Sequence, residues 1–394
     1  MTRDATTALL LGLSRGRLDE SAQVELTGLL AQPIEWDMLA ELAALHGVVG
    51  LVRRNLAILG APDSIPAGAW QRIQDSANQT AFDGVLQLRE TDSMAAVLNG
   101  AGIVPIVLKG HALADLLYDD PLVRPSVDID LLVARSELAR AEQSLAAIGY
   151  LPLSDSKRIQ QLEQGYHVSL YREAMPGLVV LLELHWDLGA RDLFRYDLDA
   201  WRGDAETFSL DGMSATLRRF KPEQQLLHLA LHMRKHRYVG LRWLADVAEL
   251  LRRFGGELDW RSIDASARRA GLQTLLFVSV TLANQYLGAP CPDEWLQRWT
   301  PSSARRRLLE SVLTQDALLT PVEMEDAGWT RLAPAEVLLL DKPSAMAREL
   351  RYRLFPPAEK LSDTAAGDAS GAQRLSLYTS RLAQRTATLL RRSQ

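Results

Sequence analysis

Cysteine is almost absent from this sequence: Cys291 is the single one among 394 residues. One thiol excludes an internal disulfide and any zinc site built from cysteines, and it is typical of a protein in a reducing compartment. Near the N-terminus the apolar stretch is residues 8–11 followed by Leu13, which is too short for the core of a secretory signal. We therefore expect a cytoplasmic location.

Long apolar runs, an excess of positive charge and the common nucleotide-binding loops are also missing. The longest mostly apolar run, residues 275–283, is well below the roughly 20 residues that span a bilayer, so we expect no membrane span. The formal net charge of −5 gives no overall attraction to nucleic acid or to an anionic membrane. Neither a Gly-x-Gly-x-x-Gly nor a Walker pattern occurs. Any specific chemistry must therefore come from other motifs.

The most informative pattern begins with a strand, a turn and a helix. Residues 103–108 form a short apolar, β-branched run that predicts a buried strand, and Lys109 and Gly110 end it. A helix is predicted to follow over residues 112–118. Glycine lets phosphate oxygens approach backbone amides, and the beginning of a helix attracts anions. The turn at Gly110 is therefore predicted to bind phosphate.

A pair of acidic residues lies on the next predicted strand, residues 128–133. Asp128 and Asp130 are two residues apart, so on a strand their side chains point to the same face. Two neighbouring carboxylates repel unless a cation lies between them. Because Mg²⁺ prefers oxygen ligands, the pattern predicts a magnesium site, in which Mn²⁺ could replace Mg²⁺.

Two further strands are predicted at residues 166–171 and 178–186, antiparallel and joined by a Met-Pro-Gly turn. Glu183 and His185 point to one face near the end of the second strand. A carboxylate there is costly unless it is paired, so Glu183 is predicted as the third metal ligand, with a strand-end ion pair as the alternative. His185 is predicted to contact a carboxylate or the nucleotide, and a buried core histidine is the competing interpretation.

Together these motifs resemble the DNA polymerase beta-like nucleotidyltransferase superfamily. Its pattern is a hydrophobic strand, a glycine-led turn with a helix, then Asp-hydrophobic-Asp/Glu on the next strand. More narrowly, several segments resemble a family of uncharacterised bacterial nucleotidyltransferases: Leu108-Lys109-Gly110, Tyr118, Arg124, Asp128-Ile129-Asp130 and Glu183-Leu184-His185-Trp186. The turn departs from the superfamily pattern. Where Gly-Ser or Gly-Gly is usual, Gly110 is followed by His111, and the loop to the acids is longer.

The resemblance implies an α+β fold with a small mixed β-sheet between N-terminal and C-terminal helical regions. It also implies transfer of a nucleoside monophosphate from a nucleoside triphosphate, with ATP as the preferred candidate, and release of pyrophosphate. Two magnesium ions would be held by Asp128, Asp130 and Glu183. The acceptor is left open among small molecules, peptides or proteins, and RNA.

Additional phosphate or nucleotide contacts are predicted for side chains around the turn and on two later helices. Lys109 and Arg124 flank the turn, and His111 stands where the superfamily has its serine. On a later helix that begins at Pro222, His232 is predicted to line the nucleotide pocket, as the resemblance also suggests. Arg242 is predicted to reach a phosphate or to order the pocket, held by an ion pair with the residue four positions later, Asp246. A purely structural ion pair between helices is the alternative.

His232 belongs to a row of three histidines at four-residue steps, which begins at His228 and ends at His236. A zinc ion is disfavoured there, because a straight helix cannot bring the first and third side chains to one ion and no cysteine is available. We expect His228 to be a second pocket residue and His236 to lie near solvent.

Four regions are predicted along the chain. Residues 1–100 form an N-terminal helical region, residues 101–220 the nucleotidyltransferase core, and residues 221–355 a C-terminal helical domain. Residues 356–394 are predicted as a flexible linker followed by a basic helix. This last helix has five arginines and no acidic residue over residues 374–392, which suits docking on a partner, an anionic surface or the protein itself.

Two alternative functions remain compatible with the sequence. One is a non-catalytic module that binds a nucleotide or a partner on the same fold, which the missing turn serine favours. The other is a nucleotidyltransferase that acts on RNA, for example at a tRNA end, which the net negative charge disfavours and the basic C-terminal helix favours.

Overall fold

A computed structural model describes residues 2–189, 191–210, 212–319 and 333–354. The predicted linker and basic helix at residues 356–394 lie outside the described residues. The protein has an α+β fold in which helices surround one mixed sheet, as predicted. None of the helices in the described part is long and apolar enough to cross a membrane.

Five helices precede the sheet: α1 (Thr2–Leu13), α2 (Glu20–Leu30), α3 (Trp36–Leu45), α4 (Val49–Ile58) and α5 (Ala67–Gly100). Helix α5 is the longest, with 34 residues. Its second half carries buried apolar residues, among them Met94 and Leu98, that pack against the sheet. This helix therefore joins the N-terminal region to the sheet that carries the predicted site.

Seven strands form the sheet in the order β3-β4-β5-β2-β1-β7-β6. Their bounds are β1 (Ile106–Val107), β2 (Ile129–Leu132), β3 (Leu151–Pro152), β4 (His167–Met175), β5 (Leu178–His185), β6 (Glu206–Phe208) and β7 (Leu217–Arg219). Strands β4 and β5 form the expected antiparallel hairpin, and Gly177 in its turn has a positive φ of 77°. Strands β6 and β7 were not predicted from the sequence.

Four helices connect these strands: α6 (Gly110–Leu117), α7 (Leu138–Ala146), α8 (Asp155–Gln164) and α9 (Leu198–Asp204). Successive residues of β2 enter two different apolar cores. Ile129 and Leu131 pack with α5 and α7, whereas Leu132 belongs to the core on the other face. This alternation is the two-residue period of a strand, and it leaves Asp130 on the same face as Leu132.

Within the described residues, nine helices follow the sheet: α10 (Pro222–Lys235), α11 (Leu241–Phe254), α12 (Trp260–Ala270), α13 (Gln273–Leu287), α14 (Asp293–Trp299), α15 (Ser303–Val312), α16 (Gln315–Leu319), α17 (Ala333–Leu338) and α18 (Pro343–Leu354). Pro222 is in the first turn of α10, as predicted. Residues of α1, α10 and α13 share one apolar core, so the two helical regions pack together. Helices α10 and α11 bring their polar side chains to the sheet face that carries Asp130.

Candidate functional site

Strand register collects the predicted acids on one face of the sheet. Asp130 on β2 is the direct partner of Glu183 on the parallel strand β5. On the next strand, β4, His167 is the direct partner of His185. Because paired residues on neighbouring strands point to the same face, these four side chains face the same space. The alternation that the sequence predicted for β2 and β5 thus produces a single cluster.

The three predicted metal ligands converge. One carboxylate oxygen each from Asp128, Asp130 and Glu183 lies within 4.8 Å of the others. Asp130 is buried, with 2% of its surface exposed, and the other two are half-buried. Oδ2 of Asp130 and Oε2 of Glu183 are buried, and basic side chains lie next to both. Three converging carboxylates repel one another, so the cluster fits a divalent ion that prefers oxygen ligands.

Two cationic side chains offset part of this negative charge. Nζ of Lys109 lies 2.9 Å from Oδ2 of Asp130, an ionic contact without hydrogen-bond alignment. Nε2 of His185 lies 2.9 Å from Oδ1 of Asp130 and 3.2 Å from Oε2 of Glu183. The Lys109 ammonium, which we predicted beside phosphate, therefore lies next to a predicted metal ligand in this structure.

The electrostatics of the cluster follow from these contacts. Burial by itself raises the pKa of Asp130 and of Glu183, but Lys109 and His185 outweigh burial at Asp130, and the two nearby histidines do so at Glu183. The pKa of Asp130 is therefore held well below its usual range, and that of Glu183 falls to about 2. Burial lowers the pKa of His185, yet its two carboxylate neighbours raise it overall. Asp128 differs, because burial and the charge of Asp130 raise its pKa.

The glycine turn has the geometry that the sequence predicted. Gly110 begins α6 with a φ of 59°, in the left-handed region, and no side chain caps the helix. The first backbone amides of α6 are therefore available to an anion. A Cβ at Gly110 would lie 3.5 Å from Oγ of Ser126, which donates to the carbonyl oxygen of Asp128 at 2.8 Å. Ser126, in the loop before β2, therefore places its hydroxyl oxygen beside the turn.

His111 occupies a different position from the one predicted. Its side chain is buried against α5, where a Cβ at Gly84 would lie 3.7 Å from Cε1 of His111. Burial, with a smaller contribution from Arg124, lowers its pKa to about 4. Its Nε2 has no hydrogen-bond partner among the described residues. His111 is therefore a neutral buried side chain beside the turn.

Arg124 is paired with Asp246. Its Nε and Nη2 donate to the two carboxylate oxygens of Asp246 at 2.8 Å each, and the hydroxyl of Tyr118 donates to the same carboxylate at 3.0 Å. The ion pair that we expected between Arg242 and Asp246 is wrong, because Arg124 occupies both oxygens. The phosphate contact predicted for Arg124 stays a prediction. This buried pair fixes the loop before β2 to α11.

Arg242 lies on the other side of the same loop. Its guanidinium carbon is 4.0 Å from the ring centre of Trp243, and Nη1 donates to the carbonyl oxygen of Pro125 at 3.3 Å. Burial, and secondarily the charge of Arg124, lowers its pKa to about 10. Its Nε is buried without a partner among the described residues. Arg242 therefore keeps a donor for an anion close to Asp128.

Helix α10 covers the site on the sheet face that carries Asp130. His228 and His232 are buried and line a cavity of about 30 Å³ together with Lys109, Asp130 and His185. That volume is about enough for one water molecule. Burial lowers the pKa of His228 to about 3 and that of His232 well below its usual value, so both imidazoles are neutral. The prediction that His232 and His228 lie near the site agrees with this arrangement.

The sequence predictions missed some side chains at the site or gave them too small a role. His236 is half-buried and stacks on Trp243 with ring centres 4.9 Å apart, whereas we expected it near solvent. Ser126 lies two residues before Asp128, and that short spacing was the available signal for it. His167 could have been assigned from its strand pairing with His185, since both are predicted on adjacent strands of one hairpin.

The mixed sheet, the glycine turn and the converging acids define a nucleotidyltransferase-type protein. A family model described as an uncharacterised nucleotidyltransferase matches residues 32–288, and the chain belongs to this family. The family supports transfer of a nucleotide, which makes the protein a transferase by family. The chain matches no curated protein and no solved structure.

Proposed function

We propose that this protein transfers a nucleoside monophosphate from a nucleoside triphosphate, ATP being the first candidate, to an acceptor and releases pyrophosphate. The observation that carries the proposal is the convergence of Asp128, Asp130 and Glu183 within 4.8 Å beside an uncapped helix start. Carboxylates that bind a cation, next to amides that bind phosphate, are the two parts that nucleotidyl transfer requires.

Asp128, Asp130 and Glu183 would hold Mg²⁺, with Mn²⁺ as a substitute. When bound, the metal would lower the pKa of the attacking hydroxyl and stabilise charge on the leaving pyrophosphate. The convergence of three carboxylates supports this assignment, because a divalent cation would offset their mutual repulsion.

The triphosphate would lie against the turn and the loop before β2. The backbone amides of α6 offer donors, and Arg242 adds a guanidinium beside Asp128. Lys109 is bound to Asp130 in the ligand-free protein. A divalent ion at Asp130 would compete with this ammonium, and Lys109 would then be free to contact a phosphate oxygen.

Binding and turnover should be tested separately. With Mg²⁺, we expect wild-type protein to bind ATP in isothermal titration and to release pyrophosphate when an acceptor is present. Asp128→Asn and Glu183→Gln should lose turnover by at least about a hundredfold, as expected when ligands of a catalytic metal are removed. Glu163→Gln is the matched control, because Glu163 is exposed on α8 away from the cluster.

The same experiment separates catalysis from the alternative of a nucleotide-binding module. Tight ATP binding without turnover in any acceptor pool would favour the module. Full turnover by Asp128→Asn would remove the metal assignment. Incubation of labelled triphosphates with total RNA, cell protein and metabolite fractions then identifies the acceptor class and the preferred base, including the RNA-directed alternative.

A further inference from the structure

Two histidines, His167 and His185, lie next to the acidic cluster, and both contact its member Glu183. Nε2 of His167 lies 3.5 Å from Oε1 of Glu183, and Nε2 of His185 lies 3.2 Å from Oε2. One ligand atom from each of the three residues lies within 4.8 Å of the others. The carboxylate of Glu183 thus presents one oxygen to each imidazole.

The hairpin of β4 and β5 holds this group in place. His167 and His185 are direct cross-strand partners, and their ring centres are 5.0 Å apart. The side chain of His185 is 5% exposed, whereas those of His167 and Glu183 are 18% and 16% exposed. The group is therefore anchored on rigid strands and is open to solvent from the side of His167.

The orientation of His185 suits a ligand. Its Nδ1 lies 3.3 Å from the carbonyl oxygen of Asp187, an acceptor that fixes the ring with Nε2 directed at the carboxylates. A second hydrogen bond of this kind, from the other ring nitrogen to a backbone carbonyl, accompanies most histidine ligands of metals. In the ligand-free protein Nε2 donates its proton to Asp130 at 2.9 Å. A metal ion that binds between the ring and the carboxylates would displace this proton, because imidazole binds a metal in its deprotonated form.

The donor set indicates which class of ion would bind. Two imidazole nitrogens and one carboxylate, with an open position, is the ligand set of many catalytic zinc sites. Imidazole favours zinc and its transition-metal neighbours, whereas magnesium favours oxygen. Ligand distances of about 2.1 Å place neighbouring ligand atoms roughly 3 to 4 Å apart, in the range of the separations here.

We propose that His167, Glu183 and His185 form a binding site for a divalent transition-metal ion of the zinc class, next to the all-carboxylate site of Asp128, Asp130 and Glu183. The two sites are coupled because Glu183 belongs to both. The competing interpretation is structural: His185 only donates to Asp130, and His167 only packs edge-on against Tyr166, with ring centres 4.9 Å apart. The two interpretations differ in whether imidazole enters the metal's coordination shell.

X-ray absorption of metal-free wild-type protein loaded with one equivalent of Zn²⁺ tests this without any variant. We expect the multiple-scattering signature of two imidazole ligands and a stoichiometry of one ion per chain. A shell made of oxygen ligands alone would overturn the proposal, and so would the absence of Zn²⁺ binding.

Variants then assign the ligands, with Co²⁺ absorption as the readout. His167→Ala should weaken Co²⁺ binding by at least about tenfold, since a direct ligand is lost. His46→Gln is the matched control: this buried histidine is bound through Nε2 to the carbonyl oxygen of Leu319, lies outside the group and should leave Co²⁺ affinity unchanged. Asp128→Asn should keep the Co²⁺ spectrum. Loss of the spectrum in Asp128→Asn together with normal affinity in His167→Ala would place the ion in the acidic cluster and refute the imidazole site.

The result of these metal-binding experiments does not depend on whether the protein transfers a nucleotide. Imidazole ligation in a protein without transferase activity would contradict only the proposed function. Transferase activity with Mg²⁺ in a protein whose zinc shell lacks imidazole would contradict only the metal site. Circular dichroism of each variant confirms that the fold is intact before metal binding is compared.

Discussion

Asp246 and Arg124 form a two-point ion pair that joins α11 to the loop before β2. Nε and Nη2 of Arg124 donate to different oxygens of Asp246, each at 2.8 Å, and Asp246 is fully buried. The two residues are 122 positions apart in the sequence. Because this loop leads directly to Asp128, the position of this predicted metal ligand depends on a contact made by the C-terminal helices.

Asp246→Ala should destabilise the protein by roughly 3 to 5 kcal/mol, because it leaves the buried Arg124 guanidinium without its partner. Urea unfolding followed by circular dichroism measures the change. The matched control is Glu310→Gln, which removes an exposed ion pair with Arg306 and should cost less than about 1 kcal/mol. Equal losses of unfolding free energy in the two variants would show that the ion pair of Asp246 with Arg124 contributes little to stability.

Asp128→Asn should have opposite effects with and without metal. The pKa of Asp128 is raised by burial and by Asp130, so its ionised form is disfavoured in the folded protein. Removing this charge should leave metal-free stability at pH 7 unchanged or raised by about 1 kcal/mol. In wild type, Mg²⁺ at a hundredfold excess over Kd should add about 2.7 kcal/mol, and the variant should lose this gain.

Thermal unfolding with and without Mg²⁺ reports both effects in one experiment. Glu163→Gln, which changes an exposed acid on α8, should respond to Mg²⁺ as wild type does. A normal Mg²⁺ response in Asp128→Asn would exclude this residue as a ligand.

The local parts of the site were predictable from the sequence. The two-residue period places Asp128 and Asp130 on one face, and the same period places Glu183 and His185 together, so each pair follows from its own strand. The glycine turn at Gly110 follows from the abrupt end of an apolar run. These features need only neighbouring residues. In the structure β2 begins at Ile129, so Asp128 precedes the strand rather than lying in it, and its carboxylate still converges with those of Asp130 and Glu183.

Contacts between distant segments were not predictable in the same way. A four-residue spacing on one helix suggested Arg242 as the partner of Asp246, but Arg124 reaches the carboxylate from a loop far away in sequence. The short strands β6 and β7 carry three residues each, too few for a periodic signal. The domain boundaries stay predictions, and the shared apolar core shows that the two helical regions pack together.

Gly110→Ala should weaken nucleotide binding as well as folding. At a φ of 59° an alanine is strained by about 1 to 2 kcal/mol. Its Cβ would also stand 3.5 Å from Oγ of Ser126, where phosphate oxygens are expected. Gly102→Ala is a close control, because Gly102 also has a positive φ, 73°, but a Cβ there meets nothing within 4 Å.

Both glycine variants should lose similar amounts of unfolding free energy in urea. Only Gly110→Ala should raise the Kd for ATP in isothermal titration, by about tenfold, the effect of about 1.4 kcal/mol of lost phosphate contact. Equal ATP affinities in the two variants would remove the turn from the phosphate site.

Acidification should destabilise the protein partly through His111. Burial lowers its pKa from 6.5 to about 4 in the folded state. Between these values the unfolded chain binds a proton that the folded protein does not, so stability is present above pH 6.5 and falls as the pH drops toward 4. The slope from this residue should approach about 1.4 kcal/mol per pH unit. The unfolding free energy of His111→Gln, measured in urea, should fall less steeply between pH 7 and 5 than that of the wild type. An unchanged slope would contradict the role assigned to His111.

Arg242→Met should separate ligand binding from stability. The guanidinium is buried beside Trp243, and burial lowers its pKa to about 10, so its charge is unfavourable in the ligand-free fold. Methionine keeps the packing on the ring and removes that charge, which should stabilise the ligand-free protein by on the order of 1 kcal/mol. The KM for ATP should rise by about tenfold or more, because a charged hydrogen bond to phosphate is lost.

Arg124→Met is the contrasting control: it leaves Asp246 buried without its partner and should destabilise the fold. If Arg242→Met lowers stability and leaves KM unchanged, Arg242 is a structural residue and the phosphate role belongs to other side chains.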